Sequence, residues 1–439
     1  MTNILTVAGS DPAGGAGIQA DLKAIEAVGL HACTVITCVT AQNTQGVQSI
    51  HPVPPEEIDR QLKSILSDIA ISAAKTGMLY DAETVKVVSR RLRQLRAPLV
   101  VDPVMKATAG GSLSSEGLAF ELKRKLVPLA SVVTPNAFEA KALTGVKVTD
   151  LRSARRAARH LMDEGAKAVL IKGGHLRGGD AVDYLFQEGR TDKMSTPRVK
   201  AEVHGTGCIL SALIAANMST GIGLEDAVRA SKAAVYRAIL SRERVGKGVD
   251  CVNPMHAIRA KASKASVLEE LADATPLLET LLDPRLLPEV GSNMAYAAIG
   301  AAEPDEVAAF EGRITRVGDK AKTTGCARFG ASKHVARIVL AASSEDPLIR
   351  CALNIKYSSE NMKACRDSGL SVASFDRSKE PKGVSSMTWG VTHAIRRHKS
   401  TPDVIADRGG MGKEPMIRML GETPSDVIAK LRRVLAKLD

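Results

Sequence analysis

His204-Gly205-Thr206-Gly207-Cys208, followed by Ile209-Leu210-Ser211-Ala212-Leu213-Ile214-Ala215-Ala216, sets the reading of this chain. The second stretch is apolar almost throughout and reads as a buried helix. The first opens that helix with two glycines and a threonine. A helix start leaves its first backbone N–H groups unpaired and carries partial positive charge. Glycines let an anionic group come close to those N–H groups. A developing oxyanion or a phosphoryl group in transfer suits such a point. Cys208 stands in the same field, so its thiol is expected to be more acidic than usual. The plainer alternative is a glycine-rich helix cap beside a buried cysteine.

Outward from that point, strand and helix alternate up to about residue 240. Strand-like runs are Ile4–Gly9, Ala32–Thr40, Ala73–Gly77, Leu99–Asp102, Val132–Thr134 and Ala168–Lys172. Helical patterns fall between them, among them Pro55–Asp68, Ala82–Leu95 and Leu151–Glu164. Such alternation implies an α/β domain with a largely parallel sheet, whose ligands bind at the carboxyl ends of the strands. The regularity stops after Leu240. Residues Ser241–Lys264 are basic, contain glycines and a proline, and read as a linker. An amphipathic helix over Val267–Leu282 and a second α/β domain follow. The expected division is 1–240, a linker 241–264, and 265–439.

Composition narrows the classes. At 439 residues the chain has room for two or three domains, and 44% hydrophobic residues support real cores. Its net charge is +12, but Lys and Arg are spread out and not interleaved with aromatics, which make up 3%. That favours small polyanions over nucleic acid. Seven scattered cysteines, with no C-x-x-C pair, argue against a disulfide framework or a zinc site and suit a reducing cytoplasm. No apolar run reaches membrane-spanning length. The apolar start, Ile4–Ala8, is strand-length and leads straight into a glycine loop, so no leader is expected.

Further loops in the first half carry chemistry. Ala8–Asp21 is glycine-rich but has neither the dinucleotide G-x-G-x-x-G spacing nor a P-loop lysine. Asp21 reads either as a ligand for a hydroxyl or amino group or as an exposed first-turn acid. Gln42, in Thr40–Thr44, offers a donor and an acceptor to a heterocycle edge. Asp102 closes a buried strand, a common place for a magnesium contact. Asn136 caps a helix with Glu139 three residues on, which is also a plain capping arrangement. Lys172, in Lys172-Gly173-Gly174-His175, places a cation at a strand end.

Together these motifs resemble the hydroxymethylpyrimidine and phosphomethylpyrimidine kinases, a branch of the ribokinase-like, three-layer fold. The resemblance is carried by A-G-S-D-P-A-G-G-A-G-I-Q-A-D-L, T-A-Q-N-T-Q-G-V, V-D-P-V-M, T-P-N-x-x-E, K-G-G-H and H-G-T-G-C, in order. It implies pyrimidine contacts at Asp21 and Gln42. ATP contacts fall at Asn136, Glu139, Lys172 and Thr206, and Mg2+ at Asp102 and Glu139. An anion hole runs over Gly205, Thr206, Gly207 and Cys208. Cys208 stands where many relatives of the fold carry an aspartate base. Its own role, base or polar anchor, is open at this stage.

Residues 290–439 resemble the archaeal-type thiamine-phosphate synthase domain, on G-S-N-M-A-Y-A, R-F-G-A-S-x-H-V-A-R and G-x-G-K-E-P-M-I-R. The resemblance places catalysis on Arg313 and His334, with Arg328 and Lys413 as substrate-binding cations. Asn354, mid-strand, reads as a structural hydrogen bond. The joint implication is a bifunctional enzyme of thiamine biosynthesis. Its first half phosphorylates hydroxymethylpyrimidine twice with ATP. Its second half condenses the diphosphate with thiazole phosphate, giving thiamine phosphate and pyrophosphate. A homo-oligomer without nucleic-acid or membrane partners is expected. The rivals are a kinase joined to a non-catalytic thiamine-phosphate sensor, and a related vitamin kinase acting on pyridoxal.

Overall fold

The alternating run forms the centre of one broad sheet. In the computed structural model, which describes residues 2–105, 117–174, 179–199, 201–381, 386–398, 400–410 and 412–438, its strands are β1 (Asn3–Ser10), β2 (His31–Asn43), β3 (Gly46–Pro52), β4 (Ile71–Thr76), β5 (Leu99–Val101), β6 (Val132–Val133), β7 (Val169–Ile171), β8 (Asp180–Gln187) and β9 (Arg190–Pro197). His175 and Met411, quoted in the motifs above, lie outside the described residues. The order is β3-β2-β1-β4-β5-β6-β7-β8-β9. Strands β2, β1, β4, β5, β6 and β7 run parallel, while β3, β8 and β9 add antiparallel edges. Strand order reverses beside β1, which is where an open α/β sheet leaves a crevice for ligand.

Both faces of the sheet are covered, which makes three layers. Adjacent residues of β1 point into different cores: Leu5 joins Val35, Ile58 and Val88, whereas Ile4 joins Ala24, Ile209 and Leu213. This is the two-residue period of a strand buried on both sides. Burying each such Leu, Ile or Val contributes roughly 1.5–3 kcal/mol, so a one-residue slip is heavily disfavoured. The helices follow their patterns closely. Pro55–Asp68 is observed as expected, and Leu151–Asp163 buries Ala154, Ala157, Ala158 and Leu161, one stripe at helical spacing. Asp81 and Asp150 cap Ala82–Leu92 and Leu151–Asp163.

The chain divides into two units, Met1–His256 and Ala257–Asp439. This differs from the linker expected over 241–264. Asp250–Cys251 pairs in parallel with Val203–His204, and Asn253 N donates to Ala238 O, so the first part of that stretch completes the first unit. The remainder belongs to a long helix, His256–Leu281. Glycine and basic composition suggested a tether, but the backbone hydrogen bonds here go to a neighbouring strand. In the second unit a sheet runs in the order Ala327–Phe329, Val307–Phe310, Met294–Ala297, Cys351–Lys356, Met416–Gly421, Val404–Asp407, Val372–Ser374. It is antiparallel apart from its last pair, and a hydrophobic cluster covers each face. That pairing explains why strand and helix do not alternate cleanly here.

Candidate active sites

In the first unit, the loops at the carboxyl ends of the parallel strands line a cavity of about 530 Å³. The helix Thr206–Ser219 starts there. Its N-cap, Gly205, has φ +92°, and a side chain on it would collide with the Gly15 carbonyl. A Cβ on Gly207 would stand 3.3 Å from Lys172 Nζ and 3.8 Å from Asp102 Oδ2. Helix start, lysine and carboxylate therefore meet at one point.

Lys172 ties two acids together: its Nζ lies 2.7 Å from Asp102 Oδ1 and 3.7 Å from Glu139 Oε2. Burial works against the lysine's charge, but Asp102 and Glu139 outweigh it and raise its pKa. Asp102 also accepts from Thr134 Oγ1 (3.1 Å) and Ser211 Oγ (3.2 Å). Burial pushes Glu139 up to about 7, against the pull of Lys172. Asn136 and Glu139 form a complete capping box on the helix Ala137–Thr144, so both side chains already hold backbone N–H groups. Among the described residues no group of three or more His, Cys, Asp or Glu gathers as a metal cage.

Two expectations change here. Cys208 lines the cavity, but its thiol is not acidified. Burial pushes it up to about 11, and Lys75 pulls the other way without prevailing. Desolvation of a thiolate outweighs the helix start. Asp21 is neither exposed nor in the cavity wall. It is fully buried, accepting from Thr6 Oγ1 (2.6 Å) and Lys75 Nζ (2.7 Å). Lys75 is the residue of this pair that borders the cavity. Gln42 does line the cavity, with its amide 2.8 Å from His204 Nε2.

In the second unit, cations gather around His334, the second residue of the helix Lys333–Glu345. Partial desolvation and then Arg418, Arg377, Arg313 and Arg337 depress its pKa, to about 4. The four guanidinium groups push in the same direction as that desolvation. Arg313 holds a left-handed backbone (φ +78°) after Gly312 and donates to Val290 O. Asp407 is buried and pairs with Arg377 Nε (2.5 Å) and Arg418 Nη2 (2.6 Å); burial opposes its charge, but the two arginines hold its pKa low. Arg418 is wholly buried, sits over the Phe375 ring at 5.4 Å, and leaves Nε without a hydrogen-bond partner among the described residues. Arg328 is exposed and paired with Glu311 at 2.6 Å, and Lys413 Nζ lies 3.7 Å from Glu380. Asn354 is structural, accepting from Asn293 N at 2.8 Å and donating to Gly291 O.

Residues 11–253 match the phosphomethylpyrimidine kinase family, and residues 270–433 match thiamine-phosphate synthase ThiN. The bifunctional thiamine biosynthesis protein ThiDN of Methanocaldococcus jannaschii is 34% identical over 437 residues, covering 98% of this chain and 97% of that protein. The chain belongs to the ThiDN family. The bifunctional protein ThiED of Geobacter sulfurreducens is 45% identical over 253 residues, 57% of this chain and 52% of its own length, so the chain spans about half of that relative. Among solved structures, an ADP complex of Bacillus subtilis pyridoxal kinase has a TM-score of 0.53 at 31% identity, covering 58% of this chain and 97% of that one. Pyridoxal kinase from Staphylococcus aureus with AMP-PCP and pyridoxal gives 0.54 at 31%, covering 58% and 94%. The first unit is thus a ribokinase-like kinase domain and the second a thiamine-phosphate synthase domain. No helix among the described residues is long and apolar enough to cross a membrane.

Lys75, His204, Arg377 and Arg418 of this ThiDN chain drew no individual role from the sequence, although His204 opens the helix-start motif and Arg418 closes G-x-G-K-E-P-M-I-R. Two carried a signal. Lys75 interrupts the apolar run Ile71–Thr76, and Arg418 interrupts Met416–Gly421. A charge inside a buried strand needs a buried partner, and such pairs cluster at functional sites.

Proposed function

We propose that the first unit performs both phosphorylations of hydroxymethylpyrimidine in the cavity at its strand ends, and that His334 and its four arginines carry the condensation. The meeting of the helix start, Lys172 and Asp102 at Gly207 carries the kinase reading. Phosphoryl transfer demands alignment and neutralisation of spread charge more than covalent chemistry. The N–H groups of Thr206, Gly207 and Cys208 and the ammonium of Lys172 supply this for ATP. Gln42 orients the pyrimidine ring. Cys208, a thiol at neutral pH, anchors the acceptor hydroxyl rather than resting as a base. Asp21 acts beneath the site by holding Lys75.

Asp102 and Glu139 would hold Mg2+. Two buried carboxylates are hard donors, and Mg2+ needs only one or two of them beside water and substrate phosphates. When bound, the ion neutralises phosphate charge. In the second unit the arginines bind the departing pyrophosphate and the thiazole phosphate, with Arg328 and Lys413 at the periphery. Neutral His334 is free to accept a hydrogen bond.

The test supplies the purified chain with hydroxymethylpyrimidine, ATP and Mg2+, then adds thiazole phosphate. Pyrimidine diphosphate should accumulate first and thiamine phosphate should follow. A higher kcat/KM for pyridoxal than for the pyrimidine alcohol would overturn the substrate assignment.

A further inference from the structure

Asp11, His204 and Gln42 form a chain of polar groups along the cavity wall. His204 Nε2 lies 3.3 Å from Asp11 Oδ2 and 2.8 Å from the nitrogen of the Gln42 amide. Asp11 is 3% exposed and His204 is 5% exposed. One ring nitrogen faces two partners and holds at most one proton. Asp11 decides its placement. Its carboxylate accepts from the backbone N–H groups of Ala13 (2.9 Å), Gly15 (3.1 Å) and Ala16 (2.8 Å). Those three N–H donors hold the group as an acceptor whatever His204 does, and its pKa is lowered although burial opposes its charge, the N–H groups of Ala16 and Ala13 contributing beside His204. An ionised carboxylate requires an N–H in front of it, not a lone pair. Nε2 therefore carries the proton. Nδ1, which has no hydrogen-bond partner among the described residues, is then a bare acceptor rather than a buried orphan donor.

With Nε2 as donor, the end of the Gln42 amide that faces it must be the oxygen. The two ends of an amide differ little in shape and are assigned by their partners. Thr40 gives the same answer independently. Its hydroxyl proton goes to Ser10 O at 2.9 Å, so it offers only lone pairs to the other end of the amide, 3.5 Å away. Lone pairs suit an NH2 group.

We infer that His204, held by Asp11, is a positioning residue that turns the Gln42 oxygen inward and presents its NH2 to the bound ring, so that the site selects a ring nitrogen lone pair. This rests on Gln42 contacting the pyrimidine, as proposed above. An amide free to rotate would accept a donor there equally well; a fixed one rejects it, because a mismatched buried group goes unpaired.

The test uses the full chain. The imidazole 15N resonances of His204, assigned by difference against His204→Asn, should show a protonated Nε2 and a bare Nδ1; the reverse tautomer overturns the inference. His204→Asn should raise the pyrimidine KM about tenfold and leave the ATP KM within about twofold. In a Gln42→Ala background it should add less than about twofold, because both changes remove one interaction. Additive effects, or equal shifts in both KM values, overturn the relay while leaving Gln42 as a contact. A Gln42→Ala chain with unchanged pyrimidine KM removes the contact, and the relay with it. Should His204→Asn fail to fold, two deaza substrates decide on the unmutated protein. With each ring nitrogen replaced in turn by CH, one analogue should lose about tenfold or more in kcat/KM, and no loss with either overturns the inference.

Discussion

Cys208 and His334 both have pKa values displaced from the ordinary range, and each displacement makes a prediction. With its pKa pushed up to about 11, the Cys208 thiol is protonated at pH 7.5, with roughly one thiolate in 3,000. Alkylation by iodoacetamide should be slow there and quicken about tenfold per pH unit up to that value. A fast, pH-independent reaction would mean a resident thiolate. If the side chain anchors a hydroxyl, Cys208→Ser should keep most of the kinase kcat, while Cys208→Ala should lose about 10²-fold or more, the usual cost of one transition-state contact. Alanine within about twofold of the parent would remove the role. His334, held down to about 4, is neutral across the working range. Its protonation should therefore leave kcat/KM for condensation flat from pH 8 down to about 5, with loss only as the pH falls toward 4. A limb near 6.5 would place an ordinary histidine in its stead. Residues of this kind were the least legible in the sequence. Asp21 looked like a helix-start acid because its buried partner Lys75 lies 54 positions away, and no local pattern announces that pairing.

Elements were more legible than residues, for a physical reason. A strand buried on both faces must be apolar along its length, and a helix on a core must carry one stripe, so β1, β4 and Leu151–Asp163 announce themselves. The edge strand β9, Arg190–Pro197, alternates weakly and owes its place to pairing with β8. Asp250–Cys251 is two residues long and is held by its neighbours, Val203–His204 in parallel on one side and Glu243 through a bridge at Cys251. The helix start at Gly205 to Cys208 joins legible pattern to illegible contact, and its two glycines should fail differently. Gly205→Ala places a side chain at φ +92° against the Gly15 carbonyl. Strain at such a backbone costs about 1–3 kcal/mol before the collision is counted, so a marked drop in Tm is expected. A Cβ at Gly207 meets Lys172 Nζ at 3.3 Å and Asp102 Oδ2 at 3.8 Å, close contacts but no collision with backbone. Gly207→Ala should fold with a Tm near the parent's and show a raised ATP KM. Equal loss of Tm in both variants would mean that Gly207 is a packing glycine and not part of the phosphate cradle.

At the scale of the whole molecule, the chain divides into Met1–His256 and Ala257–Asp439, and on the proposed reading each activity draws on the residues of its own unit. The cavity of the first unit is lined by residues between Ala8 and Ile239, and the arginine cluster around His334 is drawn from Arg313 to Arg418. No residue is shared, so damage to one set should stay with that set. His334→Ala and Arg313→Ala should each abolish thiamine-phosphate formation while ATP-dependent phosphorylation of the pyrimidine continues unchanged. The decisive assay supplies pyrimidine diphosphate and thiazole phosphate without ATP to the intact chain and measures thiamine phosphate and pyrophosphate together. The parent should make both in equal amounts. If it makes neither yet binds thiamine phosphate, the second unit is a sensor, and the arginines hold a ligand without turning it over. If both variants still make product, condensation runs in the second unit on other groups, and the buried pair of Asp407 with Arg377 and Arg418 becomes the place to look. Loss of pyrimidine phosphorylation in either variant would contradict the independence of the two units. Arg313 sharpens the comparison, because its left-handed backbone after Gly312 is an uncommon conformation for a residue with a side chain. Arg313→Gly should therefore relieve local strain while removing the guanidinium, so a stable protein with no condensation would separate the side chain's chemistry from its place in the fold.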